Sequence, residues 1–258
     1  MNAPGRARPA LMCTLSPSGG SAPLVLVPSV GTTPLSLVRL ARAIEPRRPV
    51  HAFAYAGLED DGPVHETVEA MAEAYVGELV AFAPRGPYLL GGHCLGGVVA
   101  LEMARQLEAR GRAVARLVLV DSIAPWRADD LRPADELARL DRELRGDGSP
   151  LRRLLESLAA RALEHSPMLE PDVRDRLLRM VKVHVEASFA YRARPVRAGT
   201  HLLFTEASDP SFFGGWPLLA TGGLVRHVIP GDTFSLLKPP HVASVGQRVG
   251  EALAGVDA

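Results

Sequence analysis

Residues 91–97 read Gly-Gly-His-Cys-Leu-Gly-Gly and lie between an apolar run and an amphipathic stretch. The spacing Gly92-x-Cys94-x-Gly96 suits a sharp turn from a strand into a helix, where glycine lets backbone pass close to backbone. A side chain at the tip of such a turn stands at a helix N-terminus, whose dipole and free N–H groups favour a thiolate. Cys94 is therefore a candidate nucleophile, with the N–H of Leu95 aimed at the oxyanion that forms as it attacks an acyl group. The competing reading is a buried cysteine in a glycine-rich turn. Asp121 ends the apolar run 117–120 (LVLV), and the carboxyl ends of strands are where ligands and reactive groups collect in open α/β sheets. An ionised carboxylate there can hold an imidazole in one tautomer and stabilise its cation. Asp129, Asp130 and Asp232, in polar loop-like segments, are the alternatives.

Elements that would position these groups follow from the hydrophobic pattern. Residues 23–28 (PLVLVP) form a short apolar run bounded by turn formers, which predicts a buried strand. Thr33 can cap a following helix with Pro34 at its first position, and Leu37, Leu40, Ala41 and Ile44 recur at helical spacing. Residues 50–55 predict a second strand. A helical stripe runs through Val68, Met71, Ala72, Tyr75, Leu79 and Phe82. Residues 88–92 enter the turn at Cys94, the next helix stops at Gly111, and 115–121 is another strand. This alternation predicts a mostly parallel sheet with helices on both faces. From Pro125 to about Arg192 it stops, and the pattern is helical throughout, with Leu137, Leu140 and Leu144, then Leu151, Leu154, Leu155 and Leu158, then 173–191. Strands resume at 200–205 and 224–229, and a helix over 240–254 closes the chain. The expectation is one domain over 1–258, with a core of about 10–124 and 195–256 and a helical lid inserted at about 125–192.

Composition excludes several classes. The 258 residues carry 29 basic and 29 acidic side chains, so no net field steers the protein toward a polyanion. The two cysteines, Cys13 and Cys94, rule out a disulfide scaffold or a multi-cysteine zinc site. No segment approaches the ~18 to 20 apolar residues that span a bilayer, and the N-terminal stretch lacks the hydrophobic region of a secretory signal. The expectation is a soluble, cytoplasmic protein.

Three segments then carry a resemblance. GPYLLGGHCLGGVVALEMARQL, RLVLVDSIAP and VIPGDTFSLLKPPHVASV resemble, in that order, the nucleophile, acid and histidine segments of the carboxy-terminal thioesterase domains of nonribosomal peptide synthetases and, more distantly, of polyketide synthases. The likeness covers about residues 20–255. It implies an α/β-hydrolase fold and a catalytic triad opened by Cys94 in place of serine, with Asp121 as the acid. It also implies a second oxyanion donor in the loop Pro28-Ser29-Val30-Gly31, the backbone N–H of Ser29 beside that of Leu95. No bound cofactor or metal is implied. The substrate would be a peptidyl thioester on the phosphopantetheine arm of a peptidyl or acyl carrier domain, with no nucleic-acid or membrane partner.

One position departs from the family. Its pattern is Gly-x-His-Phe followed by an apolar pair; here the stretch is Gly231-Asp232-Thr233-Phe234-Ser235-Leu236-Leu237, so threonine stands where the base is expected. The next histidine, His241, is the candidate base, with a non-catalytic companion role as the alternative. His93 is read as structural, His184 as cavity-lining or packing, and His201 and His227 as core histidines. A thiol ionises near neutral pH and tolerates a distant base better than a hydroxyl does, so Cys94 and Thr233 form a matched pair of changes.

Transfer to cysteine keeps the chain as a thioester, a more activated acyl donor than the oxoester on serine. Family members with cysteine here are associated with strained products such as β-lactones and β-lactams, which favours cyclising release. Hydrolytic release, a stand-alone editing thioesterase, a dienelactone-type cysteine hydrolase and an inactive carrier-binding module are the competing readings. Met168, Leu169, Met180 and Phe189 could line an acyl pocket or simply fill the core.

Overall fold

Four consecutive apolar residues, Leu24 to Val27, leave no polar face for solvent, so they must be covered on both sides. The computed structural model shows how. It describes residues 11–17, 19–58, 63–125, 171–208 and 213–256, with isolated positions between 142 and 160. The elements run β1 (Met12–Ser16), β2 (Leu24–Val27), α1 (Val38–Ala43), β3 (Val50–Phe53), α2 (Val68–Phe82), β4 (Tyr88–His93), α3 (Leu95–Ala109), β5 (Val114–Val120), α4 (Pro171–Ala190), β6 (Gly199–Thr205), α5 (Trp216–Leu219), β7 (Leu224–Ile229) and α6 (Val242–Ala252).

The sheet order is β1-β3-β2-β4-β5-β6-β7. Every neighbouring pair is parallel except β1 on β3. On one face Met71, Tyr75, Val99, Leu107 and Met180 from α2, α3 and α4 close over the strands. On the other, Leu40 of α1 and Val245 and Val249 of α6 do so. This is the expected α/β-hydrolase layering, with β4 central.

Local chemistry sets the helix starts. Thr67 caps α2, its Oγ1 accepting from the Ala70 N–H at 3.1 Å. Thr33 makes no such side-chain bond, and the chain instead takes a 3-10 turn over Pro34–Leu37 before α1. The antiparallel edge strand β1 was not expected from the pattern. Its alternation is weak, with Cys13 and Thr14 exposed, and long-range pairing to β3 defines it.

A buried carboxylate ties the last described helix of the insertion to the core. Glu102 of α3 is 1% exposed. It accepts two 2.6 Å bonds from Arg105, one from Gln106 Nε2 at 2.9 Å and one from the Tyr191 hydroxyl at 2.8 Å, so its lone pairs are met. Tyr191 directly follows α4, which fixes that end of the helix against α3. The leucines expected to form helices between 137 and 158, and Met168 and Leu169, lie outside the described residues. Among the described residues no helix is long and apolar enough to cross a membrane.

Candidate active site

The end of β4 and the start of α3 meet at Cys94, whose φ is +53°. That conformation is costly for a non-glycine residue and is held by its surroundings. The Cys94 N–H donates to the Val120 carbonyl at 2.9 Å, and its carbonyl accepts from the Gly97 N–H at 3.0 Å. Close approach also explains the flanking glycines. A Cβ on Gly92 would run into the Gly96 backbone, and one on Gly96 into the carbonyls of Val27 and Pro28. The elbow expected from the spacing is thus formed, with the half-buried side chain of Cys94 at its tip.

Ser29 and Leu95 come to the same sulfur. The Ser29 hydroxyl and the Leu95 N–H both hydrogen-bond Cys94 and draw its pKa down, but burial outweighs them, and the charge of Asp121 adds to the rise. The net result is a thiol pushed above its ordinary value. The helix N-terminus alone suggests the opposite direction; desolvation of the charged form outweighs it. Ser29 therefore reaches the site through its side chain as well as through the loop in which its N–H lies. That loop is fastened by the Thr32 hydroxyl, which donates to the Ser29 carbonyl at 2.7 Å. The Tyr55 hydroxyl fastens it again, donating to the Pro28 carbonyl at 2.7 Å.

Asp121 follows β5 in the left-handed region, with φ +48°, and is 5% exposed. Its N–H donates to the Leu203 carbonyl at 2.7 Å. Two hydroxyls, not an imidazole, occupy its carboxylate: Ser208 Oγ donates to Oδ1 at 2.8 Å, and Thr233 Oγ1 donates to Oδ2. Thr205 Oγ1 extends the chain to Ser208 Oγ at 2.6 Å. Thr233 so takes up the acid, as an imidazole at this position would, but it offers no basic nitrogen.

The histidines divide by their surroundings. His241 is the residue before α6, and its ring lies against Gly231. Among the described residues no hydrogen bond or ion pair joins it to Cys94 or Asp121. His93 is buried at the end of β4. Burial lowers its pKa to about 4, although Asp121 and the Thr233 backbone oppose the shift, and its Nε2 has no hydrogen-bond partner. His201 Nδ1 and His227 Nε2 pair across β6 and β7 at 3.0 Å, as suits core histidines. His184 is 1% exposed on α4, with its ring against Tyr55. Asp232 turns its own loop, Oδ1 accepting from the N–H groups of Phe234 and Ser235; Asp129 and Asp130 lie outside the described residues. Met180 is core, and Phe189 packs half-buried against it.

A family profile described as a thioesterase domain matches residues 22–250. The chain belongs to the thioesterase domain family. A nonribosomal peptide synthetase, btyA of Aspergillus terreus, is 26% identical over 226 residues, 80% of this chain and 24% of that protein. The non-reducing polyketide synthase crz7 of Cladonia metacorallifera is 26% identical over 262 residues, 92% of this chain and 12% of that protein. The chain thus spans a quarter or less of these relatives. Among solved structures, the Vlm2 thioesterase domain bound with a dodecadepsipeptide superposes with TM-score 0.73 at 27% identity, covering 93% of this chain and 97% of that one. A covalent complex of the NocB thioesterase domain with a fluorophosphonate nocardicin G analog gives TM-score 0.73 at 27% identity, covering 95% and 100%. The fold is therefore that of thioesterase domains of peptide and polyketide synthetases, a hydrolase family.

Proposed function

We propose that Cys94 takes an acyl chain from the phosphopantetheine thioester of a peptidyl or acyl carrier domain. The chain then leaves by attack of its own amine or hydroxyl, giving a cyclic product of the strained β-lactam or β-lactone kind. The observation that carries this reading is the sulfur at the tip of the elbow, met by the Ser29 hydroxyl and the Leu95 N–H. Acyl transfer here is thiol–thioester exchange: the Cys94 sulfur bonds to the acyl carbon, the pantetheine sulfur leaves, and the Cys94 proton ends on it. Two thiols trade places, so no group need hold the proton permanently, which suits a site with threonine at 233. Ser29 Oγ steadies the sulfur as it gains charge, and the N–H groups of Leu95 and Ser29 receive the oxyanion. Asp121 holds the Thr233 and Ser208 loops against the elbow. His241 is assigned no step, because nothing ties it to sulfur or acid among the described residues.

The chain acts as one domain, and the segment at about 125–192, of which α4 is the described part, serves as the lid that keeps water from the acyl-enzyme. A cytoplasmic setting fits two free cysteines.

The deciding experiment is intact-mass analysis after mixing the protein with a peptidyl carrier thioester. The acyl group is expected on the protein and absent from Cys94→Ala, with a product one water lighter than the free acid. A product at the acid mass supports hydrolytic release instead. Thr233 favours a second reading, an inactive carrier-binding module, and binding without any acyl-enzyme would select it.

Among the described residues Asp121 is bonded by hydroxyls and not by an imidazole, and its charge opposes the Cys94 thiolate. Asp121→Asn is expected to lower the titration midpoint of Cys94 and leave acyl transfer within about tenfold, where loss of the acid in a Ser-His-Asp triad costs about 10⁴. Iodoacetamide alkylation against pH and the burst of released thiol measure the two; a higher midpoint or a thousandfold collapse would show that Asp121 works through an imidazole after all.

A further inference from the structure

A carboxylate beside a thiol that must ionise holds the thiol back, and Asp121 does so to Cys94. How much of that charge reaches the sulfur depends on what surrounds the carboxylate. The direction of the hydroxyls on its Oδ1 side follows from their hydrogens. An ionised carboxylate only accepts, so Ser208 Oγ gives its single hydrogen to Asp121 Oδ1 at 2.8 Å. With that hydrogen spent, Ser208 Oγ can only accept from Thr205 Oγ1, which lies 2.6 Å away. Both O–H bonds therefore run the same way, from Thr205 to Ser208 to Asp121.

Strand order decides what this direction does at the sulfur. β4, β5 and β6 are consecutive neighbours in the sheet. Cys94 follows β4, Asp121 follows β5, and Thr205 closes β6, with Ser208 in the turn beyond it. Pairing keeps the three ends level, His93 beside Val120 and Val120 beside Leu203. Asp121 thus stands between the sulfur and the two hydroxyls, whose positive ends point toward it. The turn is held by the Ser208 N–H, which donates to the Thr205 carbonyl at 3.1 Å. Thr205 is 1% exposed, so water neither competes for its hydroxyl nor screens it well.

We propose that Thr205 and Ser208 are positioning residues of this site, a two-step chain of hydroxyl donors on Oδ1 of Asp121 that draws its negative charge away from the sulfur. Their place in the reaction rests on the reading of Cys94 as the nucleophile. A hydroxyl donating to a carboxylate makes a charge-assisted bond, and Ser208 donates more strongly because Thr205 donates to it. With Thr233 on Oδ2, Asp121 can fasten the loops after β5, β6 and β7 at a smaller cost to the thiolate, which is the attacking form. The titratable groups around this cluster are Tyr55, which senses the sulfur, His93, which faces Asp121, and His241, against Gly231 of the Thr233 loop. Burial keeps Tyr55 and His93 neutral near pH 7, and Asp121 is the charge that acts on Cys94.

Alkylation of Cys94 by iodoacetamide against pH reads the effect, followed by mass on the peptide that carries Cys94 so that the exposed Cys13 does not contribute. Ser208→Ala is expected to raise the titration midpoint by about half a pH unit or more, and Thr205→Val, which removes the outer donor alone, to raise it by less. Ser208→Thr and Thr205→Ser keep a hydroxyl and should restore the wild-type midpoint. In an Asp121→Asn background Ser208→Ala should move the midpoint by less than about 0.2. That non-additivity separates a chain acting through the carboxylate from a turn that merely packs, whose loss would be felt with either residue at 121. A midpoint unchanged or lowered in Ser208→Ala, or a rise that persists with asparagine at 121, overturns the proposal. Alkylation needs no acyl group, so failure to form acyl-Cys94 in the intact-mass experiment overturns the parent reading, whereas an unshifted midpoint overturns only this one.

Discussion

Serine at position 94 is expected to reduce acyl transfer by about 10³, and histidine at position 233 to recover much of that loss in the serine background alone. A serine hydroxyl is a poor nucleophile until a base removes its proton, and a positioned general base is worth about 10² to 10⁴. Among the described residues no base hydrogen-bonds Cys94. Its partners are the Ser29 hydroxyl and the Leu95 N–H, both donors toward the sulfur, while Asp121 is taken up by Ser208 and Thr233. A thiol escapes the penalty because it exchanges with a leaving thiol of similar acidity. Thr233→His would put an imidazole on Asp121 Oδ2, where the threonine hydroxyl now donates, and a hydroxyl at 94 would at last have an acceptor. In the cysteine background the same change should alter the rate by less than about tenfold. The burst of N-acetylcysteamine from a peptidyl thioester, measured for Cys94→Ser, Thr233→His and the double variant, checks all three. A Cys94→Ser protein within tenfold of wild type would mean that a base reaches the site from elsewhere. His241→Ala in that background would then show whether it is His241.

The contrast between what the pattern revealed and what it hid follows from the range of the interactions. Gly92, Cys94 and Gly96 are four residues apart, and the need for glycine at the elbow is a local steric fact, so the turn was legible. The strands carrying Cys94 and Asp121 were legible for the same reason, as unbroken apolar runs. Strand β1 was not, because Cys13 and Thr14 gain their conformation from pairing with His51 and Ala52 on β3. The site's electrostatics were hidden more deeply. The helix N-terminus at Leu95 argues for a thiolate, and only the packing around Cys94 shows that desolvation prevails. The bond from Thr233 to Asp121 joins residues 112 apart, so the threonine read as a missing base in the sequence becomes the acid's partner in the fold. Ser29 was singled out for its N–H, whereas its hydroxyl makes the contact with sulfur. His184 on its helical stripe reads as cavity-lining or packing, and its enclosure against Tyr55 exists only in the fold.

Enclosure of two imidazoles also sets how the protein should respond to acid. Burial holds both His93 and His184 near a pKa of about 4, against an ordinary value of 6.5. For His93 the charge of Asp121 resists the shift, and for His184 the neighbouring His65 adds to it. Between those two pH values the unfolded chain binds protons that the folded chain refuses. Stability from each ring is therefore complete above pH 6.5 and is lost as the pH falls toward 4. At pH 5 the linkage amounts to about 2 kcal/mol for His184, and His93 adds to it in the same direction. For a chain of this length that corresponds to a fall in melting temperature of about 5 °C or more between pH 7.5 and pH 5. His201 is shifted in the same direction, but it is only half-buried beside His227, and solvent screens most of its effect. His93→Gln and His184→Gln should each remove part of the fall, since glutamine keeps polar atoms in place and does not titrate. Melting curves at matched scan rates across pH 5 to 7.5 test this, and a wild-type curve flat over that range would show that neither ring is enclosed as described.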